Sequence, residues 1–276
     1  MGYSFSSISR ILDQKPLFEG KKVVTLGTLY PFLEKKEWKL LARRGLREDI
    51  PKELFSKHLF VDLLGAQVCH SLDVSDYQQS EIICNLNVPI SPELEAQYDV
   101  IIDAGTLEHL SNLSIALSNL FDLLRDEGIY YFGVPCNNWI DHGFFQFSPT
   151  FFIDMCIDNP HLELSNLQIS TSNKSYLYST INPFFKHALF SSKKRLGVGG
   201  IIRKTGGEFN LNLTQSKYRQ QYIDKSSSAL ESYEISSMLK EWVLKIIMCF
   251  STSSLIPLPI KELVLNQLYR LKRLFY

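Results

Sequence analysis

A glutamate and a histidine stand side by side at Glu108 and His109, and a second histidine, His142, lies in a later polar loop. Imidazole titrates near neutral pH, and a nearby carboxylate can orient it or share its proton. Glu108, His109 and His142 are therefore the candidate catalytic residues for taking one proton from a bound molecule. Either histidine fits the role of base, and each equally fits the plainer role of bonding to backbone. The segment PCNNWIDHGFFQFSP around His142 adds Asn137, Asn138 and Gln146 among aromatic residues. Amides and rings in one loop suit the holding of a polar acceptor away from water. No metal site is expected, because the five cysteines include no C-x-x-C pair and read as buried thiols of a reducing compartment.

Two carboxylates occupy strand ends. Val100, Ile101 and Ile102 form an apolar β-branched run without alternation, as in a parallel strand covered on both faces, and Asp103 closes it. Ligands of open α/β sheets sit beyond the carboxyl ends of the strands, so Asp103 and the following Gly105 stand where a cofactor is expected; the alternative is that Asp103 only caps a turn. Asp73 ends an earlier strand, where a carboxylate can accept bonds from both ribose hydroxyls. Asn85 could bond an adenine edge, and Gly27 would allow close backbone approach. Gly27 is followed by Thr28, Leu29 and Tyr30 and not by spaced glycines. A pyrophosphate wants that glycine cradle, so the loop favours a sulfonium nucleoside over a nicotinamide dinucleotide.

The elements that must position these residues follow from the apolar pattern. Strands are expected at Lys22–Gly27, Val68–Asp73, Glu81–Asn87, Tyr98–Thr106, Ile129–Pro135 and Leu162–Ile169. Helices are expected over 49–64, stopped by Gly65, over 113–125, stopped by Gly128, and from Ser148–Pro149 to Cys156. Strands alternating with helices predict a parallel α/β sheet. Residues 171–232 read as loops with one short strand at 200–203, followed by helices over 232–250 and 260–275.

Three blocks, SLDVSDYQQSEIICNLNVPI, YDVIIDAGTLEHLSN and PCNNWIDHGFFQFSPTFF, resemble class I S-adenosylmethionine-dependent methyltransferases. More narrowly they resemble a methyltransferase-domain family associated with bacterial surface-polysaccharide genes. The resemblance spans roughly residues 20–160. It implies a Rossmann-like α/β fold, a mostly parallel twisted sheet with helices on both faces, followed by a C-terminal helical extension. It implies S-adenosylmethionine as cofactor in a pocket lined by Gly27, Asp73, Asn85 and Asp103, with Glu108 and His109 beneath. Asn137, Asn138, His142 and Gln146 would then face a small-molecule acceptor, a sugar or nucleotide-sugar. Asp73 lies 46 residues beyond Gly27, against roughly 20 in a nucleotide-binding unit, and the charged stretch 34–53 takes up the difference as a pocket-reshaping insertion or lid. The competing reading is a catalytically inactive binding or scaffold protein on the same fold.

The 276 residues carry no net charge and are 45% apolar, enough for a core. Residues 1–180, the expected methyltransferase-like domain, hold 14 basic and 23 acidic residues, and residues 181–276 hold 15 and 6. The basic half includes Lys193, Lys194, Arg195, Arg203 and Lys204, read as a phosphate clamp or as solvated surface. Without interleaved aromatic residues it does not suit nucleic acid. The basic, amphipathic stretch 260–275 is either an interfacial anchor, giving peripheral contact with the inner face of a membrane, or a helix packed on its own domain. The expected location is cytoplasmic, because the first residues lack an apolar leader.

Overall fold

The computed structural model describes residues 2–171, 174–177 and 193–211, all within one compact unit. The helices expected over 232–250 and 260–275, and with them the anchor reading, lie outside the described residues.

The chain begins with β1 (Gly2–Tyr3) and α1 (Phe5–Leu12), then β2 (Lys22–Leu26), β3 (Tyr30–Pro31), α2 (Lys35–Ala42) and the short α3 (Phe55–Lys57), which runs on into a π-helical stretch over His58–Leu63. There follow β4 (Val68–Asp73), β5 (Ile82–Ile83), β6 (Tyr98–Asp103), α4 (Leu113–Leu123), β7 (Leu124–Asn137), α5 (Pro149–Asp158), β8 (Leu162–Thr171), β9 (Lys174–Leu177) and β10 (Leu196–Lys204). Eight strands form one sheet in the order β5-β4-β2-β6-β7-β10-β8-β9. The first five of these are parallel, and β10 runs antiparallel between β7 and β8. Counting only the parallel strands in chain order gives 3-2-1-4-5, the Rossmann-like doubly wound arrangement, with its switch point between β2 and β6.

Both faces of the sheet are covered, which explains why β2 and β6 lack a polar alternation. On one face Val23, Val100, Ile102, Ile129 and Ile201 join Ile8 and Ile11 of α1 and Phe55, Leu59 and Phe60 around α3. On the other, Tyr130 and Phe132 stack at 5.4 Å, Phe121 of α4 meets Tyr130 at 6.2 Å, and Phe152 of α5 lies 4.0 Å from Phe132. Stacked and tilted rings of this kind each add about 0.5–1.5 kcal/mol beyond the area they bury. The charged stretch 34–53 adds to the first of these faces. It folds as α2, opened by a reciprocal Glu34–Glu37 cap, with Leu41 buried in the α1/α3 cluster and Trp38 edge-on to Phe55.

Most expected elements are present, with instructive differences. The strand expected over 81–87 shortens to Ile82–Ile83, because Asn85 accepts the amide of Asn87 and turns the chain. Among the described residues of the segment read as loop, 174–177 and 196–204 are strands, and β10 pairs along its length with β7 and β8. Its glycines are packing positions. A β-carbon on Gly199 would come within 2.7 Å of the Phe132 carbonyl oxygen, and one on Gly200 within 3.0 Å of the Phe132 ring. The supposed basic clamp is thereby divided. Lys193, Lys194 and Arg195 enter β10 beside the end of β7, whereas Arg203 bonds Glu163 at 2.7 Å at the far end of the sheet. There Lys204 donates to the Phe121 and Leu124 carbonyls at the end of α4, satisfying orphan acceptors. Among the cysteines, Cys69 and Cys156 are buried as expected, while Cys84 and Cys136 are only half-buried. Among the described residues no helix is long and apolar enough to cross a membrane.

Candidate functional site

The carboxyl ends of the parallel strands carry the expected residues, in two groups. The first surrounds the switch point. Gly27 adopts a positive φ of 79°, and its amide donates to Leu72 at 2.7 Å. Asp73 ends β4 half-buried, with Oδ1 accepting the Val74 amide at 2.7 Å. The loops that follow β2 and β4 are bonded to one another. The Thr28 hydroxyl donates to the Gln78 carbonyl at 3.0 Å, and Leu29 is wholly buried. Across the crevice the Thr106 hydroxyl donates to the Leu26 carbonyl at 2.8 Å. Asn85 stands beyond Asp73, exposed, with its side-chain oxygen engaged by Asn87.

Asp103 does not face this crevice. It is 1% exposed, Oδ1 accepts the amides of Gly105 (3.1 Å) and Thr106 (2.7 Å), and Oδ2 accepts the Tyr130 hydroxyl at 2.7 Å. Two roles are open for Asp103 from its place at a strand end, a cofactor contact and a turn cap. The structure gives it the turn-capping role, with a buried tyrosine as a partner that the sequence did not reveal. Burial pushes its pKa up against the pull of the bonds from Thr106, Tyr130 and Gly105. Gly105, at φ 97°, turns the chain directly over the Asp103 carboxylate and so serves that cap.

The second group brings together Glu108, His109 and His142. Glu108 sits on a short 3₁₀ turn (Leu107–His109) after β6, and its backbone carbonyl accepts the amides of Phe144 (2.7 Å) and Phe145 (3.3 Å) from the loop after β7. Those bonds set His142 beside Glu108. His142 Nε2 lies 3.4 Å and His109 Nε2 3.9 Å from Glu108 Oε1, and the two imidazole rings are 5.0 Å apart. The Glu108 side chain is fully buried, and neither carboxylate oxygen has a hydrogen-bond partner among the described residues. The histidines are 42% and 38% exposed, so the cluster opens to solvent on their side. Burial first, and the neighbouring Asp103 second, push the Glu108 pKa to about 8. Burial lowers both histidine pKa values, with His142 adding to the effect on His109. The same burial thus favours the neutral form of all three groups, a carboxyl beside two imidazoles, the arrangement of a candidate acid–base site.

The loop that supplies His142 is braced from within. Its base closes through the Phe147 amide to the Pro135 carbonyl at 2.7 Å, and the Trp139 amide donates to Gln146 Oε1 at 3.1 Å. Trp139 Nε1 donates to Leu196 at 2.8 Å, and Asn138 Nδ2 to Lys194 at 2.9 Å, tying the loop to the start of β10. Gln146 and Asn138, expected to meet an acceptor, therefore use these atoms to hold the loop. Asn137 is exposed at its rim, with Oδ1 accepting the Asn138 amide. The Trp139 ring lies 4.9 Å from His142 and 5.0 Å from the Arg195 guanidinium, a cation–π placement. Asn138, Asp141 and Gly143 all adopt positive φ within six residues, a concentration of backbone strain of the kind found at binding loops. Around both groups, Val74, Tyr77, Ile83, Val88, Ile140 and Phe144 leave large apolar side chains exposed at the carboxyl edge.

No family model matches the chain, and no curated protein matches it. Among solved structures it is similar to Burkholderia thailandensis 1,6-didemethyltoxoflavin-N1-methyltransferase with bound 1,6-didemethyltoxoflavin and S-adenosylhomocysteine, at 14% identity over 73% of this chain and 78% of that one, TM-score 0.43. It is also similar to a SAM-dependent methyltransferase from Aquifex aeolicus (13% identity, 70% and 88% covered, TM-score 0.40). A third is an S-adenosylmethionine-dependent methyltransferase from Mesorhizobium loti (9% identity, 71% and 96% covered, TM-score 0.39). At these scores the fold assignment rests on the strand order itself.

Proposed function

We propose that this chain is a methyltransferase that takes its methyl group from S-adenosylmethionine and delivers it to an oxygen or nitrogen of a small polar acceptor, a sugar or sugar nucleotide. The observation that carries the reading is the pairing of the two groups along one sheet edge. Asp73 stands at the end of the strand next to the switch point, suited to a ribose, and the Glu108–His109–His142 cluster lies at the ends of β6 and β7, suited to a proton. In such a transfer the acceptor attacks the methyl carbon as the carbon–sulfur bond breaks, leaving S-adenosylhomocysteine. The protein's work is alignment and removal of the acceptor's proton. The cluster supplies groups able to receive it, and the Asn137–Phe145 loop supplies polar and aromatic side chains around the acceptor. Exposed Lys193, Lys194 and Arg195 beside that loop suit a phosphorylated acceptor.

A specific observation favours the second reading, a catalytically inactive binding or scaffold protein. The bonds from Thr28 to Gln78 and from Thr106 to Leu26 tie together the loops at the strand ends where a nucleoside would sit, in place of an open glycine-rich loop. Incubation with methyl-labelled S-adenosylmethionine and a panel of sugars and nucleotide-sugars separates the two. Label transfer that disappears in Glu108→Gln supports the enzyme. Cofactor binding without transfer to any acceptor supports the scaffold.

A further inference from the structure

The sequence shows Glu108 and His109 as neighbours and His142 far along the chain, a spacing that matches no metal motif. The fold closes that gap. One carboxylate and two imidazoles converge so that one oxygen and two nitrogens lie within 4.8 Å of one another. Zinc binds imidazole nitrogen at about 2.0–2.1 Å and carboxylate oxygen at about 2.0–2.2 Å, so tetrahedral ligands stand about 3.4 Å apart. His142 Nε2 and Glu108 Oε1 already have that separation, at 3.4 Å, and His109 Nε2, at 3.9 Å, is about half an ångström outside it.

A second observation points to a cation. Both carboxylate oxygens of Glu108 are buried without a hydrogen-bond partner among the described residues, on a side chain that is 0% exposed. Ionised in that state, a buried carboxylate costs several kcal/mol unless something positive meets it, and a bound cation would meet that cost where otherwise a proton does. Among the described residues, the cationic side chains within ion-pair reach of it are the two imidazoles. The carboxylate is also held from both sides. A β-carbon on Gly105 would approach its Oε1 to 3.0 Å, and one on Gly143 would approach its Cγ to 2.8 Å. The glycines thus leave room for Glu108 and fix its direction, and the half-exposed histidines leave an entry path from solvent.

We propose that Glu108, His109 and His142 bind a zinc ion, in a His₂Glu set whose fourth position opens toward the 137–145 loop. Two imidazoles with one carboxylate suit a transition metal, whereas magnesium prefers an all-oxygen shell. An acceptor hydroxyl or a water would take the open position, as at catalytic zinc sites. With zinc bound the three side chains are ligands and no longer receive the acceptor's proton themselves; the metal would instead lower the pKa of a hydroxyl or water in the open position, and the site stands whether or not the chain transfers methyl groups.

The test uses the full chain, stripped with a chelator and titrated calorimetrically with zinc chloride and, separately, magnesium chloride, with no S-adenosylmethionine present. One zinc per chain is expected and no magnesium. His109→Ala, His142→Ala and Glu108→Gln should each weaken zinc by at least ~10–100-fold, the loss that follows even when an outer-shell partner of a ligand is removed. Both histidines are partly exposed, so these variants should keep the parent's circular dichroism spectrum, and zinc should raise the melting temperature of the parent alone. A folded parent that takes up no zinc overturns the proposal, as does zinc binding that the three substitutions leave unchanged. Zinc binding without S-adenosylhomocysteine binding would instead sink the methyl-transfer reading and leave this site in place.

Discussion

Gly143 lies against Glu108 so closely that a β-carbon on it would meet the Glu108 carbonyl oxygen at 2.9 Å and its Cγ at 2.8 Å. Gly143 also adopts a φ of 69°, which L side chains rarely tolerate. Gly143→Ala therefore cannot be accommodated without moving either the His142 loop or Glu108. We predict a stability loss of about 2–4 kcal/mol, measured by urea denaturation, combining backbone strain with overpacking. The Glu108–His142 separation should widen with it, so activity should fall further than stability.

Glu108 is expected to cost the metal-free protein stability at neutral pH. Its folded pKa is held near 8, so the unfolded chain releases this proton near pH 4.5 while the folded chain keeps it. Stability contributed at this position therefore falls as pH rises from about 4.5 to about 8, then levels. Glu108→Gln should melt higher than the parent, by a margin that grows across that window, while losing function. Equal melting temperatures at pH 5 and pH 8 in both proteins would contradict this.

Tyr130 donates its hydroxyl to Asp103 Oδ2 at 2.7 Å, out of contact with water. Tyr130→Phe keeps the ring in its stack with Phe132 and removes only the hydroxyl. The expected cost is about 1.5–3 kcal/mol, typical of a hydrogen bond to a charged group. It should appear as a shift of the urea midpoint with unchanged slope.

Acid stability depends on a different carboxylate. Burial alone would raise the Glu81 pKa, but the Lys57 ammonium and the amide and hydroxyl of Ser71 outweigh it and hold the group at about 2. A depressed carboxyl stabilises the fold above its unfolded pKa, and that contribution is lost as pH falls from about 5 toward 2. Glu81→Gln should lack this part of the acid transition. Melting temperatures recorded across that range in parallel will show whether the two curves converge at low pH.

Strands β2 and β6 were legible because each holds a β-branched apolar run buried on both faces and ends at a glycine or a carboxylate, and β4, more polar and only partly buried, was legible from its closing Leu72–Asp73. Strand β10 was not. Its glycines mimic a loop in sequence, and their purpose, making room for the backbone and ring of Phe132, exists only once β7 lies beside them. In the site, Asp73, Asp103 and the Glu108–His109 pair were visible as polar residues at strand ends. The nearness of His142 was not, since it depends on the Phe144 and Phe145 amides reaching the Glu108 carbonyl. Nor could spacing reveal that Tyr130 would satisfy Asp103 or that Gln146 would brace its own loop.

The central claim, that this sheet edge binds S-adenosylmethionine through Asp73, is tested most directly by calorimetric titration with S-adenosylhomocysteine, alongside NAD and on Asp73→Ala. The account predicts binding of S-adenosylhomocysteine in the micromolar range, lost in Asp73→Ala, and none of NAD. No binding by the folded parent, or binding that Asp73→Ala leaves intact, would contradict it.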